Sequence, residues 1–148
     1  QLSEQTYKQS IRLVRALRQL KGIGPVAAWV FVVEFFGWRQ FKNGKQVGAL
    51  AGLTGTPYAS GQMQREQGIS KAGNQRVRAL AVEIAWLWLR HQPDSAISRW
   101  YAERFAGTSK RHKRVGIVAV ARKLLVALWR YLDTGERPVG ARLKAARA

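Results

Sequence analysis

The chain contains no cysteine, which excludes disulfide frameworks, cysteine-based zinc sites and thiol catalysis. It has two histidines, His91 and His112, far apart in sequence. A histidine metal site or a Ser-His-Asp relay therefore has little material. No apolar run reaches the roughly 18 residues that a membrane-spanning helix needs, so no membrane role is expected. No signal peptide or targeting segment is evident, which fits a cytoplasmic protein. Acids are also scarce: eight Asp and Glu stand against 26 Lys and Arg, a formal charge of +18 with a pI near 11.5. Such an excess repels itself unless a polyanion neutralises it, so nucleic acid is the expected partner. The chain opens on Gln1 without methionine, and the expectation is a portion of a longer protein.

What is present suffices for one domain. Of 148 residues 47% are hydrophobic, enough for a sizeable core and too many for wholesale disorder. The periodicities predict an all-α fold, a single helical domain with a helix-hairpin-helix motif and one irregular glycine-rich loop or short hairpin carrying the site. Residues 4–20 read as an amphipathic helix, with Tyr7, Ile11, Val14 and Leu17 on one stripe and Lys8, Arg12, Arg15 and Arg18 mostly off it. Gly22 stops it and Gly24-Pro25 starts a second helix running to Gly37, whose buried face is expected at Val26, Trp29, Val30 and Val33. Residues 38–44 form a linker, and a short helix at 45–53 turns Val47, Leu50 and Leu53 inward.

Ser70 is the expected N-cap of a long helix ending near His91, with Val77, Leu80, Ala81, Ile84, Leu87 and Trp88 inward. Asp94 or Ser95 caps the next helix, which carries Ile97, Tyr101 and Phe105 to a stop at Gly107. A last helix spans about 114–132 and is apolar nearly all round, hence central. Trp29, Trp88 and Trp129 fall on apolar stripes and are expected in the core. From Asp133 a basic tail, expected to fray, completes the chain. The domain thus divides into 1–37 (helix-hairpin-helix region), 38–69 (short helix and site loop), 70–132 (helical core) and 133–148 (tail).

Three basic or glycine-rich places could meet a phosphate. In Leu20-x-Gly22-Ile23-Gly24, Gly22 and Gly24 would let backbone approach an anion at a helix start; a plain αα-turn has the same pattern, and both readings stand. Lys110, Arg111, Lys113 and Arg114 lie at the start of the last helix, where cations oppose the macrodipole. They serve either an outside anion or only a solvated connector. The third place is the segment from Gly52 to Arg78. With Gly55, Pro57, Gly61 and Gly68 it cannot be one continuous helix. It offers Ser60 beside Gly61, with Arg65, Lys71, Asn74, Arg76 and Arg78 following. A serine hydroxyl attacks a phosphodiester only if its proton is removed or the phosphorus is made more electrophilic; guanidinium groups on the non-bridging oxygens provide the second route. Arg76 and Arg78 should point to different sides of their helix. By composition alone Ser60 would be an ordinary turn serine, and Tyr58 either contacts DNA or braces the loop.

The ordered runs Ala49-Leu50-Ala51-Gly52-Leu53-Thr54, Pro57-Tyr58-x-Ser60-Gly61 and Gly68-Ile69-Ser70-Lys71-Ala72-Gly73-Asn74-x-Arg76-Val77-Arg78 resemble the C-terminal transposase domain of the IS-one-ten family of insertion-sequence transposases. The Leu20–Pro25 hairpin and the run Gly116–Leu125 occupy matching places. The resemblance implies a bacterial, nucleoid-associated DNA recombinase acting on element ends and target, with Ser60 as nucleophile. It also implies a guide RNA, homo-oligomeric assembly, and an N-terminal RuvC-like domain whose DEDD acids hold Mg2+. That domain is absent from these residues. The eight acids present have no two-metal spacing, so no metal or other cofactor is expected in this portion, which should be inactive alone. A noncatalytic helix-hairpin-helix module for DNA or RNA, or an assembly module pairing through its first helix, is the competing reading.

Overall fold

The computed structural model describes residues 4–37, 41–53 and 71–145, with the side chains of Leu50 and 71–74 excepted. The described residues form a helical domain whose one extended contact is an isolated antiparallel bridge between Leu20 and Leu143. The all-α expectation holds. The linker at 38–40, the loop at 54–69 and the Ser70 cap lie outside the described residues.

Helix α1 (Glu4–Gln19) has an acid in its first turn and Arg18 in its last, both favourable to the helix dipole. Val14 and Leu17 enter the core, while Tyr7 is exposed. The chain then turns tightly. Leu20 N–H donates to Leu17 O, Ile23 N–H donates to Leu20 O, and Gly22 adopts φ +101°, a conformation that disfavours any side chain.

Helix α2 (Pro25–Phe31) continues into a π-helical segment, Val32–Phe36. Here one expectation is overturned. Val26, Trp29 and Val33 are 74%, 40% and 51% exposed, whereas Ala27, Ala28, Phe31, Val32, Phe35 and Phe36 are buried. The helix is apolar on two sides, so periodicity alone could not choose between them. The widened π turn sends both Phe35 and Phe36 inward, where they meet Phe41 at ring distances of 5.0 and 6.4 Å. Those rings supply more apolar area than the valine stripe does.

Helix α3 (Gly44–Leu50) is capped by Asn43, whose side chain accepts from Gln46 N–H at 2.9 Å. Val47 and Leu53 are buried as expected. Helix α4 (Lys71–His91) buries Val77, Ala81, Ile84, Ala85 and Trp88. Helix α5 (Ala96–Phe105) takes Ser95 as its cap, through Ser98 N–H. The same buried hydroxyl accepts from Trp88 Nε1 at 2.9 Å, tying α4 to the start of α5.

Helix α6 (Lys110–Thr134) begins a turn earlier than expected. Ser109 caps it by accepting from His112 N–H, so the basic run lies inside its first turns. It packs along α4, α3 and α5 and is the central helix. Gly116 lets Phe105 lie against it: a Cβ there would come within 2.8 Å of that ring. Trp129 is half-buried against the core beside Phe41.

The tail does not fray through residue 145. From Gly135 (φ +80°) it doubles back as a strap. Ala96 N–H donates to Val139 O, Lys21 N–H to Arg142 O, and Lys144 N–H to Gln19 O. Buried Gln92 fastens it: its Nε2 donates to Lys21 O and Arg142 O, and its Oε1 accepts from Arg142 N–H, all within 2.8 Å. Three satisfied hydrogen bonds explain why a polar side chain is left 1% exposed.

Candidate nucleic-acid interface

The strap bears directly on the first glycine-rich place. Lys144 Nζ donates to Ile23 O at 2.8 Å, and Lys21 is bonded through both its N–H and its carbonyl. Much of the turn's backbone polarity is thus spent inside the molecule. Gly22 lies over α4, where an added Cβ would sit 3.4 Å from His91 Cβ. Gly24, the residue before α2, has open space at its Cβ position. Burial, with Arg18 nearby, lowers the pKa of Lys144 below the ordinary lysine value.

The serine-bearing place is only partly described. Tyr58, Ser60, Gly61 and Arg65 lie outside the described residues. Lys71 and Asn74 belong to the first turn of α4. Arg76 and Arg78 go to different neighbours. Arg76 Nη1 donates to Glu34 Oε1 at 2.5 Å, which joins α4 to the π-helical segment. Glu34 is the less exposed member of the pair, and its second oxygen is buried with no hydrogen-bond partner among the described residues. Arg78 is exposed and extends towards Gly52, whose added Cβ would lie 4.0 Å from Arg78 Cδ. Arg78 thus lies beside Gly52, just before the segment that carries Ser60, while Arg76 is turned to Glu34.

The third place is well exposed. Lys110, Arg111 and Arg114 are at the surface and Lys113 is half-buried. Three successive turns of α1 present another cationic row that the sequence reading left without a role: Lys8, Arg12 and Arg15, all exposed. Their spacing of four and three residues puts them on one face over about 11 Å. Lys8 has a solvent-exposed partner in Glu4, and Arg12 bonds Gln9. Arg15 has no acid partner among the described residues. The signal for this row was the same periodicity that located the apolar stripe opposite it. Further cations, Arg122, Lys123 and Arg130, follow along α6.

Among the described residues no group of three His, Asp or Glu side chains is placed to hold a metal ion, and none of the helices is long and apolar enough to cross a membrane. Glu34 and Asp94 are held in ion pairs with arginine, and Glu4 pairs with Lys8.

The family described as transposase IS116/IS110/IS902 matches residues 14–100. A putative transposase, y4rJ, of Sinorhizobium fredii is 50% identical over 129 residues, covering 86% of this chain and 32% of its own length. A probable family 20 transposase of Pseudomonas aeruginosa is 32% identical over 129 residues, covering 84% of this chain and 37% of its own. The transposase for insertion sequence element IS1328 of Yersinia enterocolitica is 24% identical over 115 residues, covering 76% and 34% respectively. The chain thus spans about a third of the length of these relatives. No solved structure matches it.

Proposed function

The chain belongs to the IS116/IS110/IS902 transposase family, and on that premise we propose that it is the DNA-gripping and serine-nucleophile portion of a transposase. The observation that carries this reading is the family match across residues 14–100, which takes in Ser60 and its following arginines. The exposed cations of α1 and α6, Arg15 among them without an acid partner among the described residues, support a polyanionic partner. In the proposed step Ser60 Oγ forms a bond to a DNA phosphorus as the bond to one sugar oxygen breaks. The serine proton leaves and the departing sugar oxygen gains one. The phosphoserine link keeps a phosphoester for rejoining.

Arg65, Arg76 and Arg78 would hold the non-bridging oxygens, where bidentate guanidinium contacts stabilise the charge of the transition state. Glu34 fixes the direction of Arg76 and neutralises part of its charge. Metal chemistry, a guide RNA and pairing of protomers are proposed for the full-length protein. The isolated portion should not recombine DNA.

The test uses the full-length protein with element DNA and guide RNA, and looks for a protein–DNA adduct that survives denaturant. Ser60→Ala should abolish adduct and recombination while DNA binding persists. Adduct formation by that variant would remove the nucleophile assignment and leave a binding module. Arg65→Ala and Arg76→Ala should lower recombination more than DNA binding; equal losses would reduce those residues to phosphate holders.

A further inference from the structure

A cavity of about 490 Å³ opens on the side of the molecule where α3, α5, α6 and the strap meet. It is within the ~300–1,000 Å³ range of sites that hold small organic groups. Its floor is aliphatic, made by Ile97, Val126, Ala127, Pro138 and Val139. Val139 is 68% exposed at the edge, an apolar side chain without cover. The cavity's rim carries Lys45, Arg122, Lys123 and Arg130. None of these four has an acid partner among the described residues. Lys123 Nζ lies 4.6 Å from the centre of the Trp100 ring, whose other cation neighbour is Arg104 at 5.2 Å. Glu136 lines a small adjoining recess with Arg130 and Arg137.

The walls are firmly set. Gly44 meets Val126 so closely that a Cβ would lie 2.8 Å from its Cγ1, and Val139 is held to the start of α5 by its carbonyl. Gly140, at φ +77°, packs against Asp94, where a Cβ would fall 2.8 Å from the carbonyl oxygen. A concave apolar floor ringed by unpaired cations calls for an occupant that is apolar in its body and anionic at its edge. Duplex DNA presents phosphates but keeps its base faces stacked. A nucleotide of a single strand presents both.

We propose that this cavity binds one unstacked nucleotide of a single-stranded nucleic acid, with the base on the aliphatic floor and the phosphates on Lys45, Arg122 and Arg130. The proposal rests on the reading of the chain as a nucleic-acid-binding portion of a transposase, and adds a site remote in sequence from Ser60. Single-stranded DNA and RNA share the required chemistry, and an acidic, apolar peptide is the rival occupant.

The test titrates the 148-residue chain with fluorescent oligo-dT, oligo-U and a DNA duplex of equal length, across a salt series. Ala127→Phe fills the floor without changing charge. Val139→Glu, at an exposed position, puts a carboxylate on the rim without disturbing the core. Each should weaken binding of at least one single strand about tenfold, with duplex affinity held within about twofold for the neutral variant. The strand that weakens, DNA or RNA, identifies the source. Arg122→Ala and Arg130→Ala should each lower the single-strand salt slope by about one.

If both fillers leave single-strand affinity unchanged while the wild type binds duplex, the cavity proposal is overturned and the general reading survives. Binding of neither strand nor duplex by the wild type would overturn both. Displacement of a Glu/Leu peptide from the cavity by Ala127→Phe, with no effect on either oligonucleotide, would assign the cavity to the peptide instead.

Discussion

The two ends of the C-terminal strap are treated differently by the fold. At one end Arg142, Leu143 and Lys144 lie against the turn at Leu20–Ile23: Leu143 bridges to Leu20, Arg142 O accepts from Lys21 N–H, and Lys144 donates to Gln19 O through its N–H and to Ile23 O through Nζ. At the other end Pro138 and Val139 reach the same domain through a single carbonyl and leave an aliphatic surface open beside four cations. The first end is held by several hydrogen bonds to α1 and the turn, so its role is mechanical: it ties the end of the chain to the start of α2. The second end is held in place but not covered. Fixed, uncovered apolar surface in a protein of charge +18 is where a ligand with an anionic edge gains most.

Substitutions along the strap separate the two roles. The largest effect is expected from Gln92→Leu, which leaves Lys21 O and Arg142 N–H without partners and Arg142 O with Lys21 N–H alone, and should cost about 2–4 kcal/mol. Urea denaturation would show the loss, and amide exchange should show it concentrated at residues 140–145. A stability equal to wild type would mean that the docked end is ornamental. Ser95→Ala comes next. It removes the α5 cap and the acceptor of Trp88 Nε1, at about 1–3 kcal/mol, and loosens the anchor of Val139 while leaving the docked end protected.

A smaller effect is expected from pH. Lys144 has its pKa lowered in the folded state, mainly by burial, so the folded chain releases that proton before the unfolded chain does. Stability should then rise as pH climbs from the folded pKa towards the ordinary 10.5. Measurements kept below about pH 9.5 avoid Tyr101, which burial raises above its ordinary 10.0. Lys144→Met should flatten the rise; an unchanged slope would place its origin elsewhere. Val139→Ser, at the open end, should alter stability by less than about 0.5 kcal/mol, and a larger loss would show that Val139 is structural.

The helices were legible because their apolar stripes and caps are strong local signals. The periodicity of 4–20, the Ser95 cap and the centrality of the last helix all have such signals in the chain. The face of α2 was not legible, since Val26-Trp29-Val33 and Ala28-Phe31-Phe35 are both apolar series and only the π turn and the Phe41 ring decide between them. The strap was hidden for a different reason. Its docking depends on Gln92 and on backbone carbonyls far away in sequence, and a stretch of Gly, Pro and Arg reads as solvated. The Glu34–Arg76 pair is likewise a contact between residues 42 apart, invisible to spacing rules. At Ser60 local signals alone favoured a turn, and only the ordered family motifs raised the serine to a candidate nucleophile.

The central claim is the identity of the nucleophile, and mapping the covalent link tests it most directly. Full-length protein would be trapped with element DNA and guide RNA, digested with protease and nuclease, and the nucleotide-bearing peptide sequenced by mass spectrometry. The account predicts a phosphodiester-linked nucleotide on Ser60, lost in Ser60→Ala. A nucleotide on any other side chain, or recombination with no protein-linked nucleotide at all, would contradict it.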